Sequence, residues 1–112
     1  MSSAAVKRLY VDDERACPNG WDLARNYDEA IKMLQETDYY QVSLDHDLGE
    51  WNYQVERTGM TILTWLEERQ HDGHVVPFIT IHTANAAVRR SMERLADKLN
   101  RASAVGAFKK RI

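Results

Sequence analysis

A chain of 112 residues is in the size range of one domain, and its net charge of −2 excludes a general attraction to nucleic acid. Its composition, 44% hydrophobic and 29% charged, is that of a globular protein rather than a disordered chain. No apolar run approaches the length of a membrane span, and the only cysteine, Cys17, cannot form an internal disulfide. We therefore expect a single cytoplasmic domain over residues 1–112, with no membrane partner and no extended nucleic-acid surface.

The first half of the chain predicts two strands and a helix. Val6 to Val11 is a short apolar run that stops abruptly at acidic residues, as a buried strand does. A weaker strand is expected from Gly20 to Tyr27, where side chains alternate in character. Residues 28–37 carry apolar side chains on one helical stripe, and either Asn26 or Asp28 is placed to cap that helix.

The second half alternates strand and helix. Strands are expected at Tyr40 to Leu44 and Val75 to Ile81, and helices at 58–70 and 85–101, the last with Asn85 as N-cap. Strands that alternate with helices indicate the α/β class, with a mostly parallel sheet and right-handed crossovers. Ligands of such sheets bind beyond the carboxyl ends of the strands, so polar residues there are the candidates for a site.

Three of the four expected strands end in such residues: the first and third in carboxylates, and the fourth in a histidine. Asp12 and Asp13 follow the first, and Asp45 and Asp47 follow the third. Carboxylates held close together without a cation would repel one another, and their oxygen atoms suit Mg²⁺, with Mn²⁺ or Ca²⁺ as alternatives. We therefore predict a metal site formed by these four aspartates. Asp12 and Asp45 could instead cap turns, although capping does not explain acidic pairs on two strands.

Two histidines lie beside these carboxylates. His46 separates Asp45 from Asp47, and His82 follows the fourth strand. Histidine titrates near neutral pH, so a pair of histidines could act as general base and general acid in opening or hydrolysing a phosphodiester. If the chain is still extended, Asp47 faces away from His46, and only one of them needs to enter the site.

Groups that could hold a phosphate lie nearby. Thr83 precedes a helix N-terminus, where a hydroxyl and free backbone amides bind anions, and Asn85 is expected to cap that helix first and contact a ligand second. Arg15 and Arg57 are candidates to position the phosphate. The loop of residues 49–58 also carries Trp51 and Tyr53, which could stack on a base or pack as a lid. Three basic residues lie near the C-terminus: Lys109, Lys110 and Arg111. They either form a solvated tail or contact the phosphate.

The acidic pair Asp12-Asp13, the stretch Leu44 to Gly49, Gly59 and the pair Thr83-Ala84 resemble response-regulator receiver domains. The resemblance implies a receiver-like, flavodoxin-like three-layer sandwich with four to five strands. It also implies that the aspartates hold Mg²⁺, that Asp45 accepts a phosphoryl group and that Thr83 contacts it. Two features depart from receivers, because the usual first helix is absent and the fifth strand is weak. Receivers carry a lysine at the end of the fifth strand, and Lys109 and Lys110 are the candidates for it.

The histidines are not part of the receiver set. With the other motifs of the chain they are similar to the cyclic-phosphate-processing receiver-like family; these motifs are Asp12 to Arg15, Pro18, Gly20 and Trp21, Ser43 to Gly49, Thr58-Gly59, and His82-Thr83-x-Asn85 with Met92. The match covers residues 9–92, and its most specific stretch is Leu-Asp-His-Asp-Leu-Gly at residues 44–49. This resemblance implies that the protein binds or processes a cyclic phosphate, such as one formed by RNA cleavage or during RNA repair.

Three functions remain open on the sequence. The first is a metal-assisted phosphoesterase acting on a cyclic phosphate of a nucleotide or RNA end, with His46 and His82 exchanging protons. The second is a signalling module phosphorylated on Asp45. The third is a protein that binds a cyclic nucleotide without turnover. The oligomeric state is left open.

Overall fold

The computed structural model describes residues 6–48 and 57–110, with side chains described as far as Ser103. Its strands all pair in parallel, in the order β2-β1-β3-β4, and helices connect β2 to β3 and β3 to β4. This confirms the predicted α/β receiver-like fold. In chain order the elements are β1 Arg8–Val11, β2 Asp22–Ala24, α1 Tyr27–Glu36, β3 Gln41–Leu44, α2 Gly59–His71, β4 Phe78–Ile81 and α3 Ala86–Lys110.

The helices begin at polar caps. The Asn26 side chain accepts a hydrogen bond from the Glu29 amide at 2.9 Å, so Asn26 rather than Asp28 caps α1. At the start of α3 the Asn85 side chain accepts from the Val88 amide at 3.2 Å, as predicted. No helix within the described residues is long and apolar enough to cross a membrane.

The core lies between one face of the sheet and the helices. Side chains on that face are fully buried, including Leu9, Val42 and Leu44, and they pack against Ile62 and Leu66 of α2. A right-handed connection places α1 and α2 on the same side of the sheet, and α3 packs beside α2 and β4.

The opposite face carries polar and half-buried side chains. Arg8, Tyr10, Gln41 and Thr80 lie there, and Phe78 is 51% exposed. The third layer expected from the resemblance is therefore not formed by the residues that the structure describes. The absence of a helix between β1 and β2 accounts for this, because a right-handed connection from β1 to β2 would lie on the opposite face.

The outer edge of β4 is occupied by a side chain instead of a fifth strand. The Ile79 amide donates to Asn100 Oδ1 at 2.8 Å, and Asn100 Nδ2 donates to the Ile79 carbonyl at 2.9 Å. The carboxamide thus satisfies both backbone groups that a neighbouring strand would use. Within the described residues the sheet has four strands, and the segment that follows β4 forms α3.

Helix α3 extends nine residues beyond the predicted end at Arg101. The added segment contains several alanines, which favour helix, and its one glycine costs only about 1 kcal/mol. Trp51 and Tyr53 lie outside the described residues, as does Arg111, and the same holds for the side chains of Lys109 and Lys110.

Candidate functional site

Asp12 begins the turn that follows β1, and its side chain is only 1% exposed. Its Oδ1 accepts hydrogen bonds from the amides of Glu14 and Arg15, both at 2.9 Å. Its Oδ2 lies 3.0 Å from Nε2 of His82. One oxygen therefore caps a turn, as the structural alternative anticipated, while the other faces the strand ends.

The charge of Asp12 is stabilised despite its burial. Burial alone would raise the pKa of this carboxyl, but the amides of Arg15 and Glu14 and the His82 side chain together lower the pKa below its ordinary value of 3.8. Asp12 is therefore a carboxylate at neutral pH, and its Oδ2 can act as a ligand atom.

Asp45 follows β3, next to Asp12. Its amide donates to the Val11 carbonyl at 3.0 Å, which links it to the end of β1, and its Oδ1 accepts from the His46 amide at 2.8 Å. The carbonyl oxygen of Asp45 packs directly against Gly59 at the start of α2, where a Cβ atom would overlap it. Gly59 is therefore required for the close approach of α2 to this turn.

His82 follows β4 and its ring is held on three sides. The ring stacks on Tyr10 with centroids 4.3 Å apart and planes 7° from parallel. Its Nδ1 lies 2.6 Å from Oγ of Ser43, and its Nε2 faces Asp12. Burial lowers the pKa of His82 below 6.5 and outweighs the opposing effects of the Asp12 and Asp45 carboxylates, so the ring is neutral at physiological pH.

These three residues form one cluster of possible metal ligands. Asp12, Asp45 and His82 each offer an atom within 4.8 Å of the other two, which lets a single ion contact all three. Asp13 is half-buried and Asp47 has an 86% exposed side chain, and neither belongs to this cluster. Of the four predicted aspartates, the structure thus brings together two, and it adds a histidine.

His46 lies on the other side of Asp45, beside a cleft between the starts of α2 and α3. The cleft has a volume of about 350 Å³ and is lined by His46, Thr58, Met60, Thr61, Ala87, Val88 and Ser91. The His46 Nδ1 atom is buried and lies 3.4 Å from Oδ1 of Asp47 without hydrogen-bond geometry, and it has no other partner within residues 6–48 and 57–103. The His46 ring therefore borders the cleft, while its buried Nδ1 atom has no hydrogen bond among the described residues.

Thr83 and Asn85 form the turn that leads into α3. Thr83 is buried, and its Oγ1 accepts a hydrogen bond from the Asn85 amide at 3.3 Å. Asn85 is exposed and its side chain caps α3. Both residues predicted to contact a phosphate therefore make hydrogen bonds within the turn and the start of α3. This confirms the prediction that Asn85 caps the helix.

The predicted arginines occupy different places. Arg15 donates to the His82 carbonyl at 2.8 Å and its Nε lies 3.8 Å from Asp12 Oδ2, so it borders the cluster. Arg57 donates to both carboxylate oxygens of Asp28 in the first turn of α1, at 2.7 and 2.8 Å. A third arginine, Arg25, donates to the carbonyls of Asp12 and Arg15 and braces the turn.

Three of these residues had no predicted role. Ser43 is a polar residue between the buried apolar residues Val42 and Leu44, which is a signal that the sequence alone offers. Tyr10 lies within β1 and Arg25 directly follows β2, and nothing in the sequence marks either residue. Their roles depend on the parallel register, which places Tyr10 beside Ser43.

A larger cavity of about 540 Å³ lies at the opposite edge of the sheet, among residues that precede β3 and β4. It is lined by residues such as Tyr39, Trp65 and Val76, and it includes no member of the Asp12 cluster. The chemistry-bearing groups are therefore at the carboxyl edge, although the deeper cavity is elsewhere.

A parallel sheet with an acidic cluster at the carboxyl ends of its strands defines a receiver-type α/β domain. The comparison with family models agrees and is more specific: residues 7–98 match the cyclic-phosphate processing receiver domain. The chain belongs to that family, as its sequence motifs predicted, and it is a receiver-type domain linked to cyclic-phosphate processing. Neither the curated proteins nor the solved structures that were compared gave a match.

Proposed function

We propose that the protein hydrolyses a cyclic phosphate on a nucleotide or RNA end, with a divalent cation bound by Asp12, Asp45 and His82. The observation that carries the proposal is the convergence of these three side chains within 4.8 Å at the edge where parallel sheets bind ligands. Mg²⁺ is the cation expected from the sequence, with Mn²⁺ and Ca²⁺ as alternatives. Once bound, such a cation polarises a phosphate oxygen and lowers the pKa of a coordinated water.

The reaction needs only water as a co-reactant. A water molecule loses a proton and its oxygen forms a bond to phosphorus, one ring P–O bond breaks, and the departing sugar oxygen receives a proton, which leaves a phosphomonoester. His46 is the better placed histidine for the proton transfer, because its ring lines the cleft, whereas both nitrogens of His82 have partners.

The remaining predicted residues position the phosphate. Arg15 borders the cluster with a half-exposed side chain, so its cation can reach a phosphate oxygen. The turn of Thr83 and Asn85 leads into the N-terminus of α3, where backbone amides favour an anion. The cleft beside His46 offers space for the sugar or base.

Phosphoryl acceptance by Asp45 is the second candidate function. It is favoured by the position of Asp45 directly after β3, beside Asp12. One observation counts against it: Asn100 occupies the edge of β4 where a fifth strand would pair.

One experiment separates the functions. The protein is incubated with divalent cations and an RNA ending in a 2′,3′-cyclic phosphate, and separately with acetyl phosphate, and RNA products and protein mass are measured. The proposal predicts ring opening that falls about 100-fold or more in His46→Gln, the range expected for loss of a proton-transfer group. His71→Gln is the matched control, because His71 is an exposed histidine at the end of α2.

The other outcomes point to other functions. An adduct on Asp45, lost in Asp45→Asn, without ring opening would establish the signalling function instead. Saturable binding of the cyclic phosphate with neither product would leave a binding protein and overturn the enzyme.

A further inference from the structure

The His82 ring cannot rotate without losing several contacts. Tyr10 covers one face of the ring, Ser43 contacts Nδ1 and Asp12 contacts Nε2. The ring side chain is only 15% exposed. Its two nitrogen atoms therefore have fixed neighbours, which determine where the proton of the neutral ring lies.

Without a cation, that proton lies on Nε2. Asp12 Oδ2 is a carboxylate oxygen and can only accept a hydrogen bond, so Nε2 must donate. Nδ1 then carries the lone pair and accepts from the hydroxyl of Ser43, 2.6 Å away. Ser43 is 7% exposed.

The same arrangement suits a metal ligand after one tautomer change. If the proton moves from Nε2 to Nδ1, the Nε2 lone pair points to the space shared with Asp12 and Asp45, and the ring stays neutral. The Ser43 oxygen can accept the new Nδ1–H, because a hydroxyl both donates and accepts. Histidines that bind metals commonly donate their other N–H to such a fixed partner, which orients the ring.

We propose that His82 binds the cation through Nε2, that Ser43 is the positioning residue that supports the required tautomer, and that the site therefore selects Mn²⁺ or another first-row transition metal over Mg²⁺ and Ca²⁺. Two carboxylates alone would suit Mg²⁺ or Ca²⁺, whereas an imidazole nitrogen favours transition metals. This inference rests on the cation site of the proposed function and adds its metal selectivity.

The test uses Mn²⁺ as the probe with the full chain near neutral pH. Pulsed electron paramagnetic resonance of bound Mn²⁺ should show hyperfine coupling to a directly bonded nitrogen, and this coupling should be lost in His82→Gln. Calorimetric titration should show tighter binding of Mn²⁺ than of Mg²⁺. Ser43→Ala should weaken Mn²⁺ binding about tenfold or more, the range typical for loss of a partner of a ligating histidine, with less effect on Mg²⁺.

Thr80→Val is the matched control. Thr80 pairs with Ser43 in the register of β3 and β4 and carries a hydroxyl on the same face, but its bonds go to the Val42 carbonyl and to Gln41. This substitution should leave both affinities unchanged. The nitrogen signal of the wild-type protein requires no variant, so the test remains decisive even if Ser43→Ala does not fold.

Two failures are distinguishable. Bound Mn²⁺ without nitrogen coupling, or equal loss of Mn²⁺ and Mg²⁺ affinity in Ser43→Ala, overturns the selectivity inference while leaving the ring-opening assay to judge the proposed function. The absence of any cation binding overturns both this inference and the metal-assisted form of the proposed function.

Discussion

His82 and Asp12 contact each other although their strands are not neighbours. β3 lies between β1 and β4, yet Nε2 of His82 lies 3.0 Å from Oδ2 of Asp12. The His82 ring crosses the end of β3 beside Ser43, whose hydroxyl contacts Nδ1 of the ring. The contact therefore joins the ends of three strands into one site.

Replacement of Asp12 by asparagine should remove cation binding. An amide lacks the charge that attracts a divalent cation, but its oxygen can still accept from the amides of Glu14 and Arg15. We expect loss of the thermal stabilisation by Mn²⁺, with a loss of about 1–3 kcal/mol in the free energy of unfolding without metal. Thermal unfolding with and without Mn²⁺ measures both.

Asp97→Asn is the control, because Asp97 is an exposed aspartate of α3. It should retain the full response to Mn²⁺. If Asp12→Asn retained that response as well, Asp12 would not be a ligand.

Acid should destabilise the metal-free protein in a window set by His82. Its pKa is lowered in the folded state by burial, so the unfolded chain binds the proton first as the pH falls below the ordinary value of 6.5. The free energy of unfolding therefore decreases from about pH 6.5 down to the folded pKa. Urea denaturation in a chelator, at neutral pH and at mildly acidic pH, measures this decrease.

His82→Gln should be less stable at neutral pH but should lose less stability on acidification. Asp12 does not affect the comparison. The pKa of Asp12 is lowered in the folded state, so its contribution to the free energy of unfolding is lost only as the pH falls below the ordinary value of 3.8. Equal decreases in the wild type and in His82→Gln would contradict the assignment of a neutral, buried His82.

The sequence predicted most elements, since they depend on local patterns. Apolar runs that end at Asp12, Asp45 and His82 identified three strands and the edge at which the site lies. The sequence did not reveal the partners within the site. The contact of Ser43 with His82 depends on the register of β3 and β4, which no periodicity reports.

The ends of the sheet were harder to predict for the same reason. Asn100 lies within a helical pattern, and nothing local indicates that its carboxamide occupies a strand position beside Ile79. Asp13 and Asp47 are the two predicted aspartates that the structure does not bring into the cluster. Each adjoins a cluster residue in sequence, but the turn after the strand carries each outside the cluster.

Asn100→Ala should lower stability without altering the site. The substitution removes both hydrogen bonds to the backbone of Ile79, and this residue is only 2% exposed. An unsatisfied buried backbone group costs about 1–3 kcal/mol. Lys98→Ala is the control, because its exposed ion pair with Glu67 contributes about 0–1 kcal/mol. Equal urea midpoints for the two variants would show that Asn100 does not stabilise the β4 edge.

Gly59→Ala should disturb the site through the backbone. An added Cβ would overlap the Asp45 carbonyl oxygen and lie 2.7 Å from Cε of Met92, so either α2 or the turn of Asp45 must move. Overpacking of this kind costs about 1–3 kcal/mol of stability. Because Asp45 is part of the cluster, we expect weaker Mn²⁺ binding as well, measured by calorimetric titration.

Gly73→Ala separates strain from this specific contact. Gly73 has a φ of 92°, so alanine there is strained, but no atom lies within 4 Å of its added Cβ. Both substitutions should lower the unfolding midpoint, while only Gly59→Ala should weaken Mn²⁺ binding. If Gly73→Ala weakened binding to the same extent, the loss would reflect general destabilisation, and the packing of Gly59 against Asp45 would have no special role in holding the ligand.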